Sequence, residues 1–169
     1  MPTLILLAGP NGAGKTTFIN AFLRRRPEPW VFVNPDEIAR ELPGGGPERD
    51  LAAGRLVLER LEAVTAARLD VVLETTLATR SHARRIVAWR RAGYRVELIY
   101  LRLPSAEESL ARVRRRVSEG GHAIPEADIR RRYPRSLEYL ETLYKPNVDE
   151  WEVWSAGGDT LVLLEESPR

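Results

Sequence analysis

The sequence predicts a three-layer α/β fold, in which one mostly parallel sheet lies between helices on both of its faces. Short apolar runs that suit strands alternate with longer segments of helical periodicity, which is typical of βαβ units with right-handed crossovers. The length of 169 residues and the hydrophobic content of 43% fit a single domain over 1–169. Two final strand candidates are joined by a glycine-containing turn, so we expect a hairpin whose last strand is antiparallel at the sheet edge.

An apolar strand candidate, Leu4–Ala8, runs directly into a glycine-rich loop. The loop completes the pattern G-x-x-x-x-G-K-[ST] with Gly9, Gly14, Lys15 and Thr16. Glycines allow positive φ, so that successive N–H groups form an anion-binding nest, and the following helix adds its N-terminal dipole. Lys15 would neutralise the β- and γ-phosphates, and the Thr16 hydroxyl would bind Mg²⁺. This pattern predicts a P-loop NTPase fold of the nucleotide-kinase type, whose nucleotide-binding residues are Gly9, Pro10, Asn11, Gly12, Ala13, Gly14, Lys15, Thr16 and Thr17.

Composition excludes several classes of protein. The sequence contains no cysteine, which excludes disulfides, cysteine-ligated zinc and a thiol nucleophile. No apolar run approaches the roughly 20 residues that span a bilayer, and no signal peptide precedes the first strand, so we expect a soluble, cytoplasmic protein without a membrane partner. The formal net charge of +2 gives no argument for nucleic acid as a partner.

The first helix and the second strand follow the P-loop. Helical spacing predicts a helix over Lys15–Arg26, which ends in three arginines before Pro27. Its inner face is expected to carry Phe18, Ile19, Phe22 and Leu23. Trp30–Val33 suits a strand, and Asn34 followed by Pro35 is typical of an N-cap and the first position of a helix.

The middle of the chain adds another βα unit. A glycine-rich loop, Leu42–Pro47, precedes a long helix over about Glu48–Arg68. We expect its apolar stripe to include Leu51, Leu58, Leu61 and Val64. Leu69–Leu73 suits a third buried strand, and a helix over Ser81–Ala92 is expected to end with Gly93 as its cap.

The last third begins with a fourth strand, Arg95–Leu101. Ser105 and Glu108 form a capping-box pattern before a helix whose inward residues are expected to be Leu110, Val113 and Val117. Glycines and a proline then interrupt the pattern. A helix follows over about Glu126–Tyr144, with Ile129, Tyr133, Leu137, Leu140 and Tyr144 on one face. The hairpin strands are Trp151–Trp154 and Thr160–Leu164.

Two carboxylates are expected at the carboxyl edge of the sheet, where open α/β sheets bind ligands. Asp36 lies three residues past the second strand, where it could accept the proton of a hydroxyl that attacks the γ-phosphate. The alternative is an acidic residue that only complements the helix dipole, a role that suits Glu37 better. Glu74 could bind a substrate sugar or a magnesium-bound water, with Thr75 and Thr76 adding hydroxyl contacts; the alternative is a pair with a nearby arginine.

An arginine-rich segment over about 112–135 brackets Gly120 and Gly121 and is predicted to form a helical lid. Arginines on a closing lid neutralise the charge of the transferring phosphoryl group. The candidates are Arg116, Arg131, Arg132 and Arg135. For any one of them the alternative is a solvated helix face.

The sequence lacks residues that are characteristic of other P-loop classes. The chain contains no glutamine, which excludes the glutamine loop of ABC ATPases and a water-activating glutamine. Neither lysine lies in an Asn-Lys-x-Asp guanine motif. A small-molecule or nucleotide kinase remains.

Four segments in this order, GPNGAGKTT, FVNPDEIAR, VVLETTL and RVSEGGHAIPEADIRRRYPRSL, resemble the zeta toxin family of P-loop kinases. The similarity covers roughly 3–154. The resemblance implies transfer of phosphate from ATP, with Mg²⁺, to the 3′-hydroxyl of the amino sugar of UDP-N-acetylglucosamine. It also implies a toxin that a cognate antitoxin protein inhibits.

By the same resemblance, Lys15 and Thr16 match the phosphate and magnesium residues, Asp36 the catalytic base and Glu74 an acidic residue that helps bind the nucleotide sugar. The lid arginines are inferred from the chemistry alone. Three alternatives stay open: a kinase for another small molecule such as an antibiotic or a sugar, a nucleic-acid-binding ATPase or polynucleotide kinase, and a nucleotide-dependent binding switch.

Overall fold

The computed structural model of the protein describes residues 1–23 and 29–168. The described strands form one six-stranded sheet in the order β2-β3-β1-β4-β5-β6. Neighbouring strands are parallel except for the final pair, in which β6 runs antiparallel to β5. The strands are β1 Thr3–Ala8, β2 Val31–Val33, β3 Val71–Thr75, β4 Arg95–Arg102, β5 Glu150–Ser155 and β6 Val162–Glu166. The predicted hairpin and the antiparallel edge strand are therefore confirmed.

Helices connect the parallel strands. They are α1 Lys15–Leu23, α2 Pro35–Glu41, α3 Gly46–Ala66, α4 Ser81–Arg91, α5 Ala106–Ser118 and α6 Glu126–Tyr139, and α6 continues as a π-helical turn, Leu140–Tyr144. The predicted end of the first helix, Arg24 to Arg26 before Pro27, lies outside the described residues. Asn34 caps α2 as expected, because its side-chain oxygen accepts a hydrogen bond from the Asp36 N–H at 2.9 Å.

The sheet is covered on both faces, as the three-layer prediction requires. Alternate residues of β1 point to opposite sides, so Leu4 and Leu6 join one core cluster and Ile5 and Leu7 join the other. The first cluster is completed by residues of α3, α4 and the π-helical turn, and the second by residues of α1. Every residue from Leu4 to Ala8 is buried, which puts β1 at the centre of the fold.

Some predicted inward residues are exposed. Leu51 is 61% exposed, because the inner face of α3 is instead made by Ala53, Val57, Leu61 and Val64. Val117 is 38% exposed in the last turn of α5, and Leu69 is 41% exposed because the third strand begins two residues later. These three predictions were wrong.

The capping box at Ser105 is only half formed. The Ser105 hydroxyl accepts a hydrogen bond from the Glu108 N–H at 3.1 Å, as the pattern predicts. The Glu108 carboxylate does not return to the cap but accepts from Arg112 Nε at 2.7 Å. Over residues 1–23 and 29–168, no helix has the length and apolar character needed to cross a membrane.

Candidate active site

The P-loop adopts the conformation that its glycines predict. Gly9, Gly12 and Gly14 all have positive φ, at 145°, 81° and 85°. The loop leaves the carboxyl end of the central strand β1 and enters α1 at Lys15. Its backbone therefore lies at the edge of the sheet where ligands bind in open α/β folds.

Lys15 is folded back onto the loop. Its ammonium group donates to the carbonyl oxygens of Gly9 and Pro10 at 2.9 and 3.1 Å, and it lies 4.0 Å from a Glu74 carboxylate oxygen. The side chain is buried. Burial lowers the pKa of Lys15, while the negative charge of Glu74 opposes this shift. An anionic phosphate in the loop would favour the charged ammonium, so the lysine is placed to respond to a nucleotide.

Glu74 connects the P-loop with the second strand. One carboxylate oxygen accepts from the Thr16 hydroxyl and from the Asn34 side-chain amide, each at 3.4 Å. Burial raises the pKa of Glu74, whereas the nearby Lys15 ammonium lowers it. The carboxylate partners are thus a lysine, a threonine and an asparagine among the described residues. The Thr16 hydroxyl and this carboxylate supply the oxygen ligands that Mg²⁺ prefers.

Asp36 faces a large cavity at the same edge of the sheet. The strand order sets β2 beside β3, so the turn that follows β2 lies next to the end of β3, which carries Glu74. Asp36 is exposed and lines the cavity, and its negative charge raises the pKa of Glu74. Lys15, Thr75 and Thr76 line the same cavity, which has a volume of about 870 Å³. That volume is typical of a small-molecule site.

Six of the eleven charged side chains that line this cavity are arginines, and we call it the arginine-lined cavity; the others are Lys15 and four carboxylates. Three of the four predicted lid arginines line it, namely Arg131, Arg132 and Arg135. The first two face Asp128, with Nη2 to carboxylate distances of 2.7 and 3.9 Å, while Arg135 forms no ion pair with a described residue. Three more lining arginines were not predicted: Arg40, Arg49 and Arg80. These arginines would bind an anionic ligand through charged hydrogen bonds.

Arg116 does not line the arginine-lined cavity. Its Nη2 donates to the backbone oxygen of His122 at 3.1 Å, within the loop that follows α5. It remains close enough to Lys15 to contribute to the low pKa of that lysine, after burial as the main cause. A phosphoryl group beside Lys15 would lie within the field of this guanidinium.

A second pocket, of about 630 Å³, lies on the other side of the P-loop. Ala13, Gly14 and Thr17 of the nucleotide-binding stretch line it, together with apolar residues of α1 and of the β5–β6 loop. Its other lining residues include Phe18, Phe22, Leu101, Arg112, Ala156 and Leu161. The P-loop thus separates an apolar pocket, which suits a nucleoside, from the arginine-lined cavity.

The two helices of the predicted lid are each attached to the site by hydrogen bonds. On α5, the buried Ser109 hydroxyl donates to the Asn11 backbone oxygen at 2.5 Å. On α6, the buried Ser136 hydroxyl donates to the Thr76 backbone oxygen at 2.6 Å and pairs with the Tyr100 hydroxyl at 2.8 Å. α5 therefore contacts the P-loop, and α6 contacts Thr76, which lines the arginine-lined cavity.

Several residues at this site were not predicted from the sequence. Asn34 was predicted as a helix cap but not as a partner of Glu74, and its position at the end of a parallel strand was the available signal. His82 lines the cavity from α4, where helical spacing indicates only a core residue.

The chain matches the AAA domain family AAA_33 over residues 4–134. It belongs to that family. A protein of Haemophilus influenzae, described as uncharacterized, is 29% identical over 130 residues, which cover 76% of this chain and 91% of the relative. The family and the P-loop geometry agree on a nucleotide-binding α/β fold.

Three solved structures share the fold. The Pnkp1/Rnl/Hen1 RNA repair complex matches with a TM-score of 0.69 and 24% identity, over 83% of this chain and 45% of that one. The PezAT toxin-antitoxin system of Streptococcus pneumoniae matches with a TM-score of 0.67 and 19% identity, over 98% and 72%. AvrRxo1-ORF1:-ORF2 with ATP matches with a TM-score of 0.70 and 18% identity, over 98% and 58%. The chain thus spans less than half of the first of these and larger parts of the others.

Proposed function

We propose that the protein is an ATP-dependent kinase that transfers the γ-phosphoryl group to a hydroxyl of a small acceptor, a nucleotide sugar of the UDP-N-acetylglucosamine type. One observation carries this proposal: the P-loop lies between a pocket that suits a nucleoside and a cavity lined by arginines and Asp36. A nucleotide in the first would present its γ-phosphate to an acceptor in the second. The resemblance to zeta toxins supports the choice of acceptor.

Each residue has a role in this reaction. Asp36 accepts the proton of the attacking hydroxyl, and Glu74 with Thr75 and Thr76 orients the acceptor. Lys15 and the arginines Arg116, Arg131, Arg132 and Arg135 stabilise the charge that develops on the transferring group. Thr16 would hold Mg²⁺, which neutralises phosphate oxygens when bound.

The first experiment measures transfer of labelled γ-phosphate from ATP with Mg²⁺ to UDP-N-acetylglucosamine, beside water and a 5′-hydroxyl oligonucleotide. We expect label on the nucleotide sugar. Label on the oligonucleotide alone would favour a polynucleotide kinase, the second candidate, which the arginine-lined cavity also suits. Unchanged ATP with every acceptor would refute the kinase.

The base is tested by Asp36→Asn, which keeps the shape of the side chain. We expect transfer to fall by about 10²- to 10⁴-fold while ATP binding stays unchanged, because the proton acceptor is lost. Glu37→Gln is the matched control, since Glu37 lies in the same exposed first turn of α2 but does not line the cavity. Equal losses in both variants would show that the carboxylates act only on the helix dipole.

A protein partner that inhibits the kinase is part of the same proposal. One structural neighbour is a toxin-antitoxin system, and another contains ORF1 together with ORF2. These pairs support an antitoxin partner for this chain. Copurification of the chain with the products of its neighbouring genes would test this.

A further inference from the structure

His82 lies where the hydrophobic core meets the arginine-lined cavity. It is the second residue of α4, and Ile86 and Trp89 follow it on the same buried face of that helix. Those two residues belong to the main core cluster together with Val57 and other residues of α3. One helical turn above them, His82 no longer packs in the closed core but lines the cavity.

The His82 side chain is buried and lacks a partner. Only 8% of it is exposed, and its Nδ1 atom forms no hydrogen bond with the described residues. Buried polar atoms are nearly always hydrogen-bonded, and Nδ1 of this ring, which neighbouring atoms cover, lacks the partner that is expected within the described part of the chain. A half-turn about the Cβ–Cγ bond would exchange the two edges of the ring and so change which nitrogen lies nearer the cavity.

The imidazole is uncharged at neutral pH. Burial lowers its pKa to about 4, and the positive charge of Arg85 acts in the same direction. A neutral imidazole has one hydrogen-bond donor and one acceptor. It therefore suits a hydroxyl, an amide or the edge of a base, whereas the arginines of the same cavity suit phosphate oxygens.

We propose that His82 determines acceptor specificity by forming a hydrogen bond with an uncharged polar group of the acceptor. This inference rests on the proposed kinase function, because the cavity is taken as the acceptor site. It assigns His82 to recognition rather than to chemistry. Arginines of the cavity hold the anionic part of the acceptor, and His82 selects among acceptors with the same phosphates.

Kinetics of three variants separate recognition from folding. We expect His82→Leu to raise the acceptor KM by about 3- to 10-fold, the effect of one lost hydrogen bond, with the ATP KM and the acceptor-independent ATP hydrolysis unchanged. His82→Gln keeps a donor and an acceptor and should restore part of the affinity. Ile86→Val is the matched control, because it perturbs the same helix face inside the core and should leave the acceptor KM unchanged.

Nuclear magnetic resonance gives a readout that does not depend on turnover. The sequence contains two histidines, so ¹⁵N-histidine labelling yields two imidazoles, and His122→Gln assigns them. We expect UDP-N-acetylglucosamine, but not MgADP alone, to shift the His82 ring nitrogens. A 5′-hydroxyl oligonucleotide is the second probe.

The outcomes distinguish the two proposals. Phosphorylation of a probe without any shift of His82 and without a change of KM in His82→Leu would overturn the inference and leave the kinase intact. A shift without phosphorylation would keep the recognition site and refute the reaction. If ATP stays unchanged with both probes and neither probe shifts the His82 signals, both proposals fail.

Discussion

Gly9 is a position at which an added methyl group should strongly lower the free energy of unfolding. Its φ is +145°, and a Cβ atom built there would lie 2.4 Å from the backbone oxygen of Leu101. Leu101 belongs to β4, which pairs with β1 in the centre of the sheet, so the oxygen cannot move away cheaply. Gly14 in the same loop also has positive φ, at +85°, but a Cβ atom there meets nothing within 4 Å. The two glycines therefore form a matched pair.

The difference between the two alanine variants follows from that contact. The left-handed backbone of Gly14 costs an alanine about 1–2 kcal/mol. The φ of +145° at Gly9 lies outside the left-handed α region and costs about 1–3 kcal/mol. In Gly9→Ala the contact is 0.6 Å shorter than the 3.0 Å below which real Cβ contacts essentially never occur, since 3.0 minus 2.4 is 0.6. Such overpacking adds about 1–3 kcal/mol. We expect losses in the free energy of unfolding of about 1–2 kcal/mol for Gly14→Ala and about 2–6 kcal/mol for Gly9→Ala.

Urea unfolding, followed by circular dichroism, measures both losses from the midpoint and the slope. Gly9→Ala should be the less stable of the two variants. If the two variants unfold at the same urea concentration with the same slope, the contact with Leu101 does not limit the position, and the argument from packing is refuted.

Two further predictions concern stability. Ser136→Ala should lower the free energy of unfolding by about 2–4 kcal/mol, because it leaves the Tyr100 hydroxyl and the Thr76 oxygen buried and unpaired. Ser118→Ala, at an exposed position, is the control and should change the free energy of unfolding by less than about 0.5 kcal/mol, so equal effects of the two variants in urea unfolding would contradict the prediction. Because burial lowers the pKa of His82 from 6.5 to about 4, the unfolded chain binds a proton in this pH window that the folded chain does not. Stability should therefore fall by up to about 3 kcal/mol as the pH falls from 6.5 to 4, and His82→Leu should lose that part of the slope in urea titrations at several pH values.

The fold was predictable because strong local signals coincide with its elements. The apolar run of β1 and the glycines of the P-loop need no tertiary information, and the structure has both where the sequence predicts them. Leu51 shows what helical spacing alone cannot predict. Helical spacing reveals that α3 has an apolar stripe but not which side contacts the sheet, and Ala53 is too small to indicate the inner face.

The candidate site was predictable to the extent that its residues follow parallel strands. Asp36 and Glu74 were both expected at the carboxyl edge of the sheet, and the order β2-β3-β1 sets their strands side by side, with the P-loop strand β1 on the other side of β3. The contact between Asn34 and Glu74 depends on this order and so could not be derived from spacing. His82 could not be predicted because a histidine on the inner face of a helix usually belongs to the core.

The order of the strands also divides the site by local stability. β1, which carries the P-loop, is paired along its length with β3 and β4, whereas β2 has three residues and pairs with β3 alone among the described residues. Short edge strands open locally at a small fraction of the free energy of global unfolding. Such fraying would displace Asp36 while the nucleotide stays bound. The hydrogen bond from Asn34 to Glu74 opposes this opening, so phosphoryl transfer would be interrupted more readily than nucleotide binding.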